Sequence, residues 1–191
     1  MLSIHSDSTE ILNEVNKLMD IGVDSSRHPF HQCYFASHNK SDIELRTVVL
    51  RRWNLNRRSI IFHTDIRSPK VEQVRSNPST SLLFYSKEDL LQVRFKAKSH
   101  IHTNNRLSAF MFSKTTKNQQ QCYKSINAPS TKISKENHLS GANLKNPINN
   151  FSVCVSNFNQ MEVLFLNHKK HIRILYEWDR FNKQRHSFLN P

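Results

Sequence analysis

The segment from Leu91 to Ile101 alternates apolar and polar side chains more regularly than any other part of the chain. Leu91, Val93 and Phe95 would lie on one face of a strand, and the glutamine, arginine and lysine that follow them on the other. A strand of this kind has one face in the core and one in water, which is typical of antiparallel sheets. The segment therefore indicates an antiparallel β-protein rather than a parallel α/β-protein.

Other short apolar runs also have the length and composition of strands. They cover residues 32–37, 44–53, 59–64, 81–85, 151–158, 161–166 and 171–178. Polar turns separate them, and we expect 151–158 and 161–166 to be two strands that pair across Asn159. Many short strands with brief turns and few helices predict a small antiparallel barrel, mainly β with peripheral helices (β+α).

Helical periodicity is clear in residues 8–21, where the apolar side chains form one stripe. Asp7 and Glu10 predict a capping box at its start, and Gly22 predicts its end. Shorter helices interrupt the series of strands. They are expected at residues 69–75 and 104–112, the second with Leu107, Phe110 and Met111 on its buried side.

The chain of 191 residues is long enough for a single domain with its own core. Within it we distinguish the N-terminal helix, residues 1–22, and a polar, partly mobile insertion at 113–150. Cys33, Cys122 and Cys154 are too far apart to form a CxxC motif. With no signal-peptide pattern and no apolar window of membrane length, we expect a cytoplasmic protein.

Charge and glycine content limit the classes of ligand. Lysines and arginines number 28 against 15 acidic residues, and the net charge of +13 favours an anionic partner. The only two glycines, Gly22 and Gly141, are far apart, whereas a P-loop or a GxGxxG turn needs glycines close together. A phosphate group would therefore be held by side chains or by the start of a helix.

Cationic and hydroxyl side chains gather where the strand at 59–64 meets the helix at 69–75. This group consists of Thr64, Arg67, Ser68 and Lys70. The free N–H groups and the dipole of a helix start attract anions, and the side chains add charge-assisted hydrogen bonds. The group predicts a phosphate site, whereas Arg46 and Arg51 taken alone would more simply be exposed arginines on a barrel surface.

Several motifs occur in the order and spacing of a known family. They are Arg46-Thr47-Val48-Val49-Leu50-Arg51, Phe62-His63-Thr64-Asp65-Ile66-Arg67-Ser68-Pro69-Lys70, Asn77-Pro78, Leu83-Phe84-Tyr85, Gln92-Val93-Arg94, His171-Ile172-Arg173 and Leu189-Asn190-Pro191. Together they resemble the pyridoxamine 5′-phosphate oxidase-like family of FMN-binding split barrels. The first helix followed by His28-Pro29 resembles the flavin-binding subgroup that is related to, but distinct from, the oxidase itself.

The resemblance implies a six-stranded antiparallel split β-barrel, with FMN between the protomers of a homodimer. It implies a role as an FMN-dependent oxidoreductase, in which Arg46 and Lys70 bind the FMN phosphate. Gln92 would hydrogen-bond the flavin, and Arg173 would approach the ring from the partner subunit. The cofactor-binding residues implied in this way are Arg46, Thr47, Val48, Val49, Leu50, Arg51, His63, Thr64, Arg67, Ser68, Lys70, Gln92 and Arg173.

The substrate side departs from the oxidase pattern. The oxidase has lysine at Arg51, tyrosine at Phe110, arginine at Lys114 and serine at Asn118, whereas His171 matches and Lys169 stands near a substrate-side arginine. The substrate-side residues implied are thus Arg51, Phe110, Lys114, Lys169 and His171. Oxidation of pyridoxamine or pyridoxine 5′-phosphate is the second interpretation of this site. The resemblance assigns neither catalytic residues nor an electron acceptor.

Other interpretations remain open. A basic barrel face carrying Arg94, Lys96 and Lys98 could bind RNA or single-stranded DNA without flavin, although nucleic acid is the less favoured partner. A family member could also keep the dimer and have lost the flavin. His168 and His171 would lie on opposite faces of a strand, so no metal site is expected.

Overall fold

A computed structural model describes residue 3 and residues 6–134, 146–168 and 170–191 of the chain. Its helices are α1 (Ser8–Asp24), α2 (Pro69–Ser76), α3 (Arg106–Ser113) and α4 (Lys117–Gln121), with 3₁₀ turns at Pro29–His31 and Pro147–Asn150. Its strands are β1 (Gln32–Asn39), β2 (Asp42–Asn54), β3 (Ser59–Asp65), β4 (Ser79–Ser86), β5 (Leu91–His102), β6 (Phe151–Phe165), β7 (Ile172–Trp178) and β8 (Gln184–Leu189).

The strands form a closed antiparallel barrel. Their order is β3-β2-β1-β4-β5-β6, and β3 pairs again with β6 to close the circle. β7 and β8 extend the sheet beyond β6 as a hairpin. The predicted mainly β, six-stranded antiparallel barrel with peripheral helices is confirmed. β8 was missing from the prediction because its side chains are nearly all exposed and show no burial alternation.

The expectation of two strands meeting at Asn159 was wrong. β6 is one strand, in which Phe158 pairs with Ala97 and Gln160 pairs with Lys96, so that Asn159 is an extra residue. Such a bulge bends a strand and increases its twist without ending it. It lets the first half of β6 close the barrel on β3 while the second half carries β7.

Helix α1 begins as predicted but runs further. Asp7 Oδ1 accepts the Glu10 N–H at 2.8 Å, and Glu10 Oε2 accepts the Asp7 N–H at 3.1 Å, which completes the capping box. Gly22 is inside the helix and does not end it. A Cβ at Gly22 would lie 2.7 Å from the backbone of Phe30, so glycine permits the close approach of the following 3₁₀ turn.

The barrel interior contains two layers. The aromatic layer, Trp53, Phe84, Phe95 and Phe158, has Trp53 and Phe158 stacked at 5.5 Å and Phe95 at 4.8 Å from Phe158. The polar layer consists of the buried hydroxyls Ser37, Thr80, Ser99 and Ser156. Its hydroxyl oxygens lie 2.7 Å apart between Thr80 and Ser99 and again between Ser99 and Ser156. The aromatic layer lies next to α1, and the polar layer lies next to α2.

A smaller apolar cluster lies outside the barrel. Met111, Tyr123, Phe151 and Val153 form it, where α3 and the chain after α4 cover β6. The expected buried face of α3 is thus partly wrong, because Met111 is buried whereas Phe110 is 45% exposed. No helix among the described residues is long and apolar enough to cross a membrane.

Candidate functional site

Arg46 lies at the mouth of the barrel, beside the polar layer. Its strand neighbours alternate so that its side chain shares the inward face of β2. The guanidinium donates to Ser37 Oγ at 2.5 Å, to Gln73 Oε1 at 3.0 Å and to Glu44 Oε2 at 2.8 Å. Two buried polar residues and one carboxylate therefore fix the orientation of this cation.

Lys70 lies in the first turn of α2, close enough to Arg46 for their charges to interact. Its Nζ donates to Ser68 Oγ at 2.7 Å and to Thr64 Oγ1 at 3.3 Å. Burial lowers the pKa of Lys70, and the charge of Arg46 lowers it further. A cation in this position is held at an electrostatic disadvantage that a bound anion would relieve.

The start of α2 adds backbone donors to these cations. Ser68 occupies the N-cap position but its side chain makes no capping hydrogen bond, and Pro69 follows it. Pro69 has no N–H group and the Val71 N–H donates to the Ser68 carbonyl oxygen at 2.9 Å, so the Lys70 N–H is the donor that the cap side chain leaves in the first turn. Ser152, which lies opposite Thr64 on β6, has a fully buried hydroxyl without a hydrogen-bond partner. Cations, hydroxyls and a helix start converge in the arrangement that suits a phosphate group.

Arg67 belongs to the same turn, but its guanidinium has other partners. It donates to both carboxylate oxygens of Asp65, at 3.0 and 2.7 Å. It also donates to the carbonyl oxygens of Ser125 at 3.0 Å and Ile126 at 2.8 Å. The structure therefore places Arg67 as a link between the β3–α2 turn and the chain after α4.

Arg51 and His63 carry polar atoms that the described chain leaves unpaired. His63 packs edge-on against Phe151 at 4.8 Å, outside the barrel, and its Nε2 is buried without a partner. Burial lowers the pKa of His63 to about 4, with the charge of Arg51 as the second cause. Arg51 Nε is likewise buried and unpaired. Buried unpaired groups of this kind usually have a ligand or water as their partner.

The remaining substrate-side residues are only partly brought together. Phe110 lies near two cations, with Arg52 5.6 Å and Lys114 5.7 Å from its ring centroid. His171 is exposed, and its Nδ1 accepts the N–H of Asn167 at 3.2 Å. Lys169 lies outside the described residues.

The residues expected along the flavin do not share one face. Val48 and Leu50 point into the core, whereas Thr47, Val49 and Arg51 point outward. Gln92 and Arg173 also point outward, and Leu164 pairs with both of them across β5, β6 and β7. One chain thus leaves Arg46 on the inner face of the barrel wall and Gln92 and Arg173 on the outer face.

Sequence reasoning missed Glu162, an acidic residue that pairs with two arginines on the outer face. Glu162 accepts from Arg94 at 2.7 Å and from Arg173 Nε at 2.9 Å. The same contact weakens the nucleic-acid interpretation, because Glu162 compensates the charge of Arg94, one of the three cations on which that interpretation depends. Alternation along β6 could have placed Glu162 on the outer face, but the pairing depends on strand register, which the sequence does not state.

Comparison with known proteins finds one family model that matches part of the chain. Residues 14–103 match the family model described as pyridoxamine 5′-phosphate oxidase, FMN-binding domain. No curated protein sequence matches the chain at a significant level.

Three solved structures show the same fold. An FMN-binding protein related to pyridoxamine 5′-phosphate oxidase, from Nostoc punctiforme, superposes with a TM-score of 0.80 at 17% identity, over 94% of this chain and 96% of that one. PhzG from Burkholderia lata, in complex with tetrahydrophenazine-1-carboxylic acid, superposes with a TM-score of 0.74 at 18% identity, over 100% of this chain and 98% of that one. A Clostridium acetobutylicum protein related to general stress protein 26 superposes with a TM-score of 0.58 at 11% identity, over 87% of this chain and 95% of that one. The chain thus has the split-barrel fold of these proteins, and its residues 14–103 are similar to the pyridoxamine 5′-phosphate oxidase FMN-binding domain.

Proposed function

We propose that the protein binds FMN at the interface of a homodimer and acts as an FMN-dependent oxidoreductase. The observation that carries the proposal is the pair of cations, Arg46 and Lys70, at the uncapped start of α2. Lys70 would contact the phosphate directly, with Ser68 and Thr64 as hydroxyl donors beside it. The donor set suits a phosphate monoester, because it combines charge, hydroxyls and the start of a helix.

The proposal of a dimer follows from the position of Gln92 and Arg173. They lie on the opposite face of the barrel wall from Arg46, so a second copy would bring its own Gln92 and Arg173 to the flavin ring. The outer face contains a cleft of about 430 Å³ with Tyr34 and Leu45 in its wall, and Leu45 is 67% exposed. An apolar patch of this kind is typical of an interface.

The flavin would supply the redox chemistry, and the chain would orient it and control access to it. Above a pH of about 4 the imidazole of His63 is neutral, and its unpaired Nε2 can take part in a hydrogen bond with flavin or substrate. Arg51 next to it favours a substrate with negative charge. The three cysteines described are free thiols, which fits the proposed cytoplasmic location.

Oxidation of pyridoxamine 5′-phosphate is the second candidate. Arg52 and Lys114, which both lie near the ring of Phe110, favour it, because they could contact a substrate phosphate. Phe110 itself has no hydroxyl for such a contact. Oxygen consumption with pyridoxamine 5′-phosphate would support this candidate. Bleaching of the flavin by NADH or NADPH without such oxygen consumption would instead support a reductase.

The binding proposal is tested on the purified protein. We expect a flavin absorption spectrum as isolated, or saturable binding of added FMN at micromolar concentration, together with a sedimentation mass of two chains. Absence of both flavin retention and micromolar binding would contradict the proposed function. A protein that binds FMN as a monomer would contradict the proposed dimer interface but not the proposed phosphate site.

A further inference from the structure

We propose that Glu162 is a positioning residue for the flavin-ring end of the site, acting through Arg173. The inference rests on the proposed function, because it concerns the arginine that would approach the ring from the partner subunit. It adds the ion-paired group of Arg94, Glu162 and Arg173, which we call the arginine clamp, to a site so far defined by phosphate contacts and Gln92.

The contacts of the clamp have the geometry of fixed ion pairs. One guanidinium nitrogen of Arg94 lies 2.7 Å from each carboxylate oxygen of Glu162. Arg173 reaches the Oε1 of Glu162 with two of its nitrogens, Nε at 2.9 Å and Nη2 at 2.8 Å. Among the described residues, the Arg173 side chain has no acceptor other than Glu162. Two donors on one oxygen restrict the rotation of the guanidinium more than a single contact would.

Burial separates this clamp from an ordinary surface ion pair. The Glu162 side chain is 15% exposed, whereas Arg173 is 29% and Arg94 47% exposed. The pKa of Glu162 is lowered although its burial acts in the opposite direction, because both arginines hydrogen-bond to it. A partly buried carboxylate shared by two guanidinium groups leaves the clamp with one net positive charge. That charge would face the ring of a flavin bound across the dimer.

Strand register places the clamp beside the other ring-facing residue. Glu162 pairs with Arg94 on β5 and lies two residues before Leu164, which pairs with both Gln92 and Arg173. The carboxylate therefore holds Arg173 from the neighbouring row of the sheet, one strand away from Gln92 across Leu164. Without Glu162 the Arg173 side chain would have several rotamers available and would lose this direction.

The first experiment compares Glu162→Gln with Glu177→Gln. Glu177 lies on the same outer face, contacts Gln160 at 2.8 Å and does not touch Arg173, so it is the matched control. Each variant is titrated with FMN and with riboflavin, which lacks the phosphate. We expect Glu162→Gln to raise the Kd of both flavins by the same factor, on the order of tenfold, and to shift the flavin absorption band. Glu177→Gln should change neither.

A double-mutant cycle separates positioning from a general structural role. If Glu162 acts through Arg173, Glu162→Gln should add no further loss to Arg173→Met, and both single variants should give the same band shift. An equal loss in the wild-type and Arg173→Met backgrounds would overturn the inference, as would a loss of FMN affinity without one for riboflavin.

The proposed function and the inference fail in different ways. A wild-type protein that binds neither flavin would overturn both. Normal wild-type binding with an unchanged Glu162→Gln variant would overturn the inference alone. All affinities are measured where sedimentation shows two chains, and a Glu162→Gln variant that remains a monomer at every concentration would make Glu162 an assembly residue, contrary to the inference.

Discussion

The two layers of the barrel interior differ in chemistry although the same strands supply both. β4, β5 and β6 each contribute one ring to the aromatic layer and one hydroxyl to the polar layer. The aromatic layer packs under α1, which has no part in the proposed site. The polar layer packs under α2, where Ser37 and Gln73 hold Arg46. A single barrel can thus divide its interior between a layer that stabilises the fold and a layer that prepares a ligand site.

The difference also has an energetic side. The rings of the aromatic layer bury large apolar areas and pack at the spacing of favourable ring pairs. The hydroxyls of the polar layer contribute little net stability, since they exchange water for one another, but each would be costly to leave unpaired. We therefore expect substitutions in the aromatic layer to change the free energy of unfolding. Substitutions around the polar layer should change the affinity for the ligand.

The largest expected effect is on the aromatic layer. Phe95 contacts Trp53, Phe84 and Phe158, and Phe95→Ala would leave a cavity among them. We expect a loss of about 3–5 kcal/mol in the free energy of unfolding, measured by urea denaturation. The FMN affinity of the fraction that remains folded should be nearly unchanged. A similar loss of FMN affinity would mean that the two layers are not separable.

A smaller effect is expected in the middle of the polar layer. Ser99→Ala removes the shared partner of Thr80 and Ser156, and we expect a loss of about 1–2 kcal/mol. The triple variant Thr80→Val, Ser99→Ala and Ser156→Ala removes the other two hydroxyls as well. It should therefore be closer to wild type than the single variant. Additive losses in urea denaturation would contradict the description of the layer as one hydrogen-bonded unit.

Lys70→Met should have opposite effects on stability and binding. The folded protein lowers the pKa of Lys70, so the unfolded chain binds more protons between that pKa and the ordinary value of 10.5, and stability rises with pH in that window. Removing the charge should raise the melting temperature of the flavin-free protein at neutral pH by roughly 1–3 °C. Lys70→Arg is the control that keeps the charge. A lower melting temperature for Lys70→Met would contradict the statement that the charge of Lys70 destabilises the flavin-free protein.

The smallest effect concerns His63, outside both layers. Burial is the main cause of its low pKa of about 4, and Arg51 is the second. Arg51→Met should therefore raise the pKa of His63 only part of the way towards its ordinary 6.5. The titration is followed by NMR of the imidazole. An unchanged pKa would show that the charge of Arg51 does not reach the ring, and a return to 6.5 would show that burial is not the main cause.

Local patterns predicted the barrel, because alternation in segments such as Leu91–Ile101 depends only on neighbours in sequence. Features that depend on contacts between distant segments escaped. Asn159 looks like a turn residue, and its place in a bulge follows from the pairing of β6 with β5. Gly22 looks like a helix end, and its role follows from the approach of Phe30. Phe110 has the spacing of a buried residue but is exposed near two cations.

The candidate site shows the same division. Lys70, Ser68 and Thr64 are close in sequence, and the structure brings them together. Arg67 was assigned to the same group from sequence proximity, but its partners Ser125 and Ile126 lie far along the chain. The partnership of Glu162 with Arg94 and Arg173 depends on register across β5, β6 and β7, and no local motif contains it.

The central claim is that the α2 end of the barrel holds the phosphate of FMN. The most direct measurement is the ratio of the affinities for FMN and riboflavin, in the wild-type protein and in Lys70→Met. We expect wild type to bind FMN about 100-fold more tightly than riboflavin, and Lys70→Met to lose roughly tenfold of this preference while its riboflavin affinity stays the same. Equal affinities for the two flavins in the wild-type protein would contradict it.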